Sequence, residues 1–179
     1  MRTQIKYAAY LLLGLLGFKS MPAQAAVDMF LCIDNIPGEA QSKVHPDCID
    51  VLAWSWGVSN SSSAGGGTGQ TNVQDISVTK YLDRSSPLLT TLVTDSKTLG
   101  NMVLYVEHAC GSCEDLNYYR LNFAPGSVVT SLSTGGSGGE DKLTENVTFN
   151  FENVEWCYTY QQVDLPSTEI CGDYVNSAP

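Results

Sequence analysis

Leu143-Thr-Glu-Asn-Val-Thr-Phe-Asn-Phe151 decides the fold class. Its odd positions carry Leu, Glu, Val, Phe and Phe, and the even ones between them Thr, Asn, Thr and Asn. A period of two is the signature of a half-buried strand. Val154, Trp156, Tyr158 and Tyr160 repeat the pattern and predict a final strand directly after it. Toward the N-terminus, Val128 to Leu132, Tyr118 to Phe123 and Met102 to Val106 read as strands, separated by Pro125-Gly126 and by Cys110-Gly-Ser-Cys113. Val73 to Leu82 is another. Ile49 to Val58 is predicted with Leu52, Trp54, Trp56 and Val58 on one face and Val51, Ala53 and Ser55 on the other. Val27 to Ile33 is the first strand and stops at Asp34-Asn-Ile-Pro-Gly38. One helix is expected, with Ser86 as its cap, Pro87 in first position, Leu88, Leu89, Leu92 and Val93 at helical spacing, and Gly100 as its stop. About eight short strands and one short helix imply a single all-β domain, either a closed barrel or a sandwich.

The first residues are separate from that domain. Arg2 and Lys6 precede an apolar stretch, Tyr7 to Phe18, followed by small residues ending in Ala23-Gln24-Ala25, which is the pattern of a secretory signal peptide over 1–25. The stretch is shorter than the roughly 20 apolar residues that span a bilayer, so no membrane insertion is expected after cleavage. The mature domain then covers 26–179. Loss of Arg2, Lys6 and Lys19 leaves six basic residues against nineteen acidic ones, a net charge of −13. Such acidity disfavours nucleic acid and anionic membrane surfaces as partners.

All six cysteines, Cys32, Cys48, Cys110, Cys113, Cys157 and Cys171, lie in the mature part, as in a disulfide framework behind an export signal. Sequence neighbours suggest Cys32 with Cys48, Cys110 with Cys113 and Cys157 with Cys171, but several other pairings remain open. Cys110-Gly-Ser-Cys113 has the spacing of thiol oxidoreductases. No helical pattern follows it, and Glu114 and Asp115 disfavour a thiolate, so a turn disulfide is the better reading. His108 with Cys110, Cys113 and Glu114 is a thin zinc set, and no metal is expected. His45 and His108 stand in no catalytic motif, and neither G-x-S-x-G nor a phosphate loop occurs, so no enzyme activity and no cofactor are expected. Glu140, Asp141 and Glu145 beside a glycine-rich turn read as capping, bridging or solvated carboxylates. Ser61-Ser-Ser-Ala-Gly-Gly-Gly-Thr-Gly69 cannot build a core and reads as an exposed loop.

Ala26-Val-Asp-Met-Phe30, Ile49-Asp-Val-Leu-Ala-Trp-Ser-Trp-Gly-Val-Ser59, Asn72-Val-Gln-Asp-Ile-Ser-Val-Thr-Lys-Tyr81 and Ser131-Leu-Ser-Thr-Gly-Gly-Ser-Gly-Gly-Glu-Asp-Lys-Leu-Thr-Glu-Asn-Val-Thr148 resemble, in order, the Hcp family of type VI secretion tube proteins. The resemblance implies a small β-barrel with one helix, related to phage tail-tube proteins, that assembles with itself into hexameric rings which stack into a tube. It also implies that Gly65, Gly66, Gly67, Thr68 and Gly69 form the loop that reaches the neighbouring ring. Tube proteins of the contractile apparatus assemble in the cytoplasm without an export leader. The leader and cysteines therefore move the expected assembly to a periplasmic or extracellular tube, the latter favoured, with a lumen able to hold cargo. The alternatives are a type VI tube protein or effector carrier and, from another class, a secreted thiol redox protein using Cys110 and Cys113.

Overall fold

The computed structural model describes residues 27–62, 69–108, 117–139, 141–160 and 166–176. The expected leader, Gly65, Gly66, Gly67, Thr68, Cys110, Cys113, Glu114 and Glu140 lie outside them. Eleven strands and one helix make up the described residues: β1 (Val27–Ile33), β2 (Ile49–Ser55), β3 (Val58–Asn60), β4 (Thr71–Val73), β5 (Ile76–Tyr81), α1 (Ser86–Asp95), β6 (Met102–His108), β7 (Asn117–Phe123), β8 (Val128–Gly135), β9 (Thr144–Asn150), β10 (Asn153–Tyr160) and β11 (Thr168–Val175). Nine strands form one sheet in the order β11-β10-β7-β6-β1-β2-β5-β9-β8, every neighbouring pair antiparallel. β3 and β4 form a separate ribbon.

The all-β class with one short helix is what the alternation predicted, but the expected barrel is not closed. The sheet curls until Phe123 on β7 meets Phe151 behind β9, ring centroids 4.7 Å apart, across four intervening strands. One continuous core lies inside the curl, containing Leu31, Ile49, Ile76, Met102, Leu104, Leu121 and Phe149. Closure fails at β8. Its first residue, Val128, is bridged by Thr98, Leu99 N–H donates to Ser127 O at 2.7 Å, and α1 packs along the same strand. The helix and the segment behind it hold the place where a closing strand would begin.

Four other expectations shift. A bulge between Val51 and Ala53 inserts Leu52 into β2, so Trp54 joins Ile49 and Val51 against the core while Leu52 is left 39% exposed. The continuous runs expected over Ile49 to Val58 and Val73 to Leu82 each break, at 56–57 and 74–75, where the chain enters and leaves the β3–β4 ribbon. The final strand is β11, beyond β10, and its mostly exposed side chains leave no alternation to read. The helix starts one residue early, with Ser85 at the cap position and Pro87 in its first turn. It ends at Ser96, whose left-handed backbone (φ 52°) stops it short of Gly100. Gly100 serves a close approach instead, since a Cβ there would lie 2.8 Å from that of Asp34. Leu89 is fully buried, whereas Leu88 is 43% exposed.

Glu145 occupies the inward face of β9 with Val147 and Phe149, and is itself buried. Directly across on β5 stands Lys80, 1% exposed. Its ammonium donates to Glu145 Oε1 at 2.7 Å, to Asp83 Oδ1 at 2.8 Å and to Tyr81 O at 2.8 Å, which uses its three protons. Ser86 Oγ, at the first turn of α1, donates to Glu145 Oε1 at 2.7 Å. Removing one member of such a pair strands a buried charge. Lys80→Met should therefore lower stability by about 3 to 5 kcal/mol in urea unfolding, and Lys80→Met with Glu145→Leu should recover at least half of that loss.

Candidate assembly surface

Among the described residues, exposed large hydrophobic side chains include a group on one pair of strands. Ile170 is 65% exposed, Val175 60%, Tyr160 48% and Tyr158 44%, and all four lie on β10 and β11. β11 is an outer strand with one side unpaired. A free edge carrying exposed apolar side chains is a template for pairing with another chain. Two devices hold β11 in place. The Cys157–Cys171 disulfide joins residues directly opposite each other on β10 and β11. Gly172 lies beneath the Trp156 indole, where a Cβ would come 2.8 Å from Nε1.

The β3–β4 ribbon is the second projecting element. All three β3 residues are exposed, Val58 by 55%, and β4 buries none of its own. Its stem is polar: Asn60 Nδ2 donates to Thr71 Oγ1 at 3.1 Å, Ser62 N–H to Asn60 Oδ1 at 2.8 Å, and Ser61 N–H to Gln70 O at 3.2 Å. Gly69 is the one member of the predicted stacking loop that is described, and it sits in this stem. A Cβ there would come 2.1 Å from Asn60 Oδ1 and 2.3 Å from Ser62 N, so only glycine fits. The residues on either side of the expected loop, 58–60 and 71–73, form the paired ribbon.

The chemistry-bearing residues are drawn into structure. His45 is buried, its Nε2 2.6 Å from Glu107 Oε1 and its ring stacked on Tyr105 at 4.1 Å. His108 stacks on Tyr118 at 4.7 Å. The structure joins Cys32 to Cys48 and Cys157 to Cys171. Two groups have ligand-type atoms within 4.8 Å of one another, Cys32 with His45 and Cys48, and Glu155 with Cys157 and Cys171, but in both the sulfurs are spent in disulfides. The carboxylate cluster divides: Glu145 is buried in the Lys80 network, whereas Asp141 is exposed. The thiol reading of Cys110 and Cys113 falls on residues outside those described.

The sequence reading took Ser86 only as a helix cap and missed Lys80 and Asp83. The signal was present, because Lys80 continues the inward series Ile76, Val78 just as Glu145 begins the series Val147, Phe149. Opposite charges on the apolar faces of two strands predict a buried pair.

Among the described residues the sheet is open and antiparallel, β11 edges it with exposed apolar groups, a ribbon projects from it, and the histidines and described cysteines are committed to packing. The sequence matches the family model of the type VI secretion system effector Hcp over residues 30–158, and the chain belongs to the Hcp family. It is 47% identical over 143 residues to protein hcp1 of Pseudomonas aeruginosa, covering 78% of this chain and 87% of that protein. Among solved structures it is similar to Hcp1 from Salmonella typhimurium (27% identity, TM-score 0.69, 86% of this chain and 96% of that one). A type VI secretion system effector from Yersinia pestis matches at the same identity and TM-score, over 83% of this chain and 99% of that one.

Asp50 stands on the outer side of β2, among carboxylates. Partial burial raises its pKa above the ordinary 3.8, Asp83, Asp28 and Glu39 add to the rise, and Lys142 opposes it. The folded state thus holds this proton more tightly than the unfolded chain does, a stabilisation present at low pH and lost as pH rises past 3.8. Asp50→Asn should raise the urea midpoint relative to the native chain at neutral pH, and the gain should shrink when both are compared below pH 3.8.

Proposed function

We propose that this chain is a structural, non-enzymatic tube subunit: six copies form a ring, rings stack, and the β3–β4 ribbon, together with the segment Gly65 to Gly69 between its strands in sequence, reaches across the ring-to-ring contact. The observation that carries the reading is the ribbon itself. A two-stranded ribbon that buries almost nothing is marginal in water and gains its stability by docking against something else. Family membership and the open β11 edge support the same reading. Disulfides persist in oxidising compartments, so the Cys32–Cys48 and Cys157–Cys171 bonds, with the expected leader over 1–25, favour assembly in the periplasm or outside the cell.

Electron microscopy and light scattering of the purified, oxidised mature chain should show six-membered rings and, at higher concentration, stacks. Gly69→Val should leave rings and abolish stacks, because a side chain there displaces Asn60 and Ser62 from the ribbon stem. Monomers at every concentration would sink the reading. A second reading, a tube protein or effector carrier of a type VI apparatus, rests on the names of the relatives. Intact mass decides between the two settings: an N-terminus at Ala26 on exported protein supports export by the leader, and a retained Met1 supports the apparatus.

A further inference from the structure

The two described disulfides differ in a way that assembly does not explain. Of the four half-cystines only Cys171 is exposed, whereas its partner Cys157 is 1% exposed. Thiol–disulfide exchange proceeds when a thiolate reaches one sulfur and the other leaves as an anion, and it runs faster when that anion is stabilised. Cys171 is the reachable sulfur. Cys157 has the stabilising group, since Arg120 Nη2 lies 3.5 Å from its Sγ. The guanidinium is part-buried and is shared with Glu169, 3.3 Å away.

The approach to Cys171 carries the opposite charge. Glu155 has a carboxylate oxygen within 4.8 Å of both sulfurs, and Asn122 Nδ2 donates to its Oε2 at 2.6 Å. Glu169 and Asp173 stand two residues to either side of Cys171, on the same face of β11. A leaving sulfur beside a cation and an attacked sulfur among carboxylates give the bond a direction and a charge preference.

We infer that Cys157–Cys171 is an exchange site for small thiols carrying a positive charge. The incoming thiolate attacks Cys171 Sγ, a new S–S bond forms there, the Cys157–Cys171 bond breaks, and its electron pair leaves on Cys157 Sγ beside Arg120. One disulfide is exchanged for another: the incoming sulfur is oxidised and Cys157 is reduced. β11, which buries little apolar surface, then keeps its backbone pairing to β10, the packing of Trp156 over Gly172 and the Arg120–Glu169 ion pair, but no covalent tie.

The test treats the oxidised full chain at neutral pH with cysteamine or with 2-mercaptoethanesulfonate at matched thiolate concentration, followed by acid quench, alkylation and peptide mass mapping. The expected products are cysteamine on Cys171 and the alkyl group on Cys157, with cysteamine reacting about tenfold faster than the sulfonate. Arg120→Gln should slow the cysteamine reaction about fivefold, and Arg120→Lys should restore most of the rate. Cys32–Cys48 is the internal reporter of folding. If it also exchanges in Arg120→Gln, that variant has opened, and the charge order of the two thiols on the native chain decides. Adducts on Cys157, a sulfonate rate equal to or above that of cysteamine, or an unchanged rate in a folded Arg120→Gln would each overturn the inference.

Discussion

The Lys80–Glu145 pair fixes more of this molecule than its two residues suggest. It spans β5 and β9 in the part of the sheet that backs onto the core, and both side chains point inward. A slip of β9 by one residue against β5 would send Glu145, and with it Val147 and Phe149, to the opposite face and leave Lys80 buried without its partner. An apolar pair could tolerate several arrangements, but a buried ammonium whose three protons go to Glu145, Asp83 and Tyr81 admits one. The same cluster reaches α1 through Ser86, so the register of the sheet and the start of the helix are settled in one place.

The disulfides reinforce other seams of the sheet. β1 and β2 share only two residue pairs, Phe30 with Asp50 and Leu31 with Ile49, and Cys32–Cys48 closes the sheet just beyond them. β11 makes a full ladder with β10 but hides few of its side chains, and Cys157–Cys171 crosses the middle of that ladder. Each cross-link, in the range of 2 to 4 kcal/mol, lies where backbone pairing or burial is thinnest. Arg84 adds a third tie, binding the loop before β2 through Gly38 O and Asp47 beside the helix.

Elements that bury one face were legible in the sequence. Leu143 to Phe151 announced β9, Met102 to Val106 announced β6, and Leu89, Leu92 and Val93 announced the helix. Elements whose formation depends on something other than burial were not. β3, β4 and β11 present exposed residues to solvent, so no alternation marks them, and the β2 bulge moves Leu52 out of the pattern without any local signal such as glycine. Closure of the sheet was misjudged for a related reason: strand count says nothing of Thr98 and Leu99 lying against the start of β8. Of the candidate site, the cysteines and the glycine-rich segment could be read directly. Lys80, Asp83 and Ser86 form their network only when three segments meet.

The open side of β11 has a consequence for symmetry. An edge strand that pairs with the same strand of another copy makes a self-complementary contact, which closes at two and leaves nothing to propagate. A ring of six requires each subunit to present two different surfaces, so in such a ring β11 meets something other than itself. The outer strand at the far end of the sheet, β8, is bridged by Thr98 at its first residue, Val128, and lies beside α1. One chain thus carries two unlike strand edges, each with its own N–H and C=O groups, and unlike surfaces are the geometric condition for a cyclic arrangement wider than a dimer.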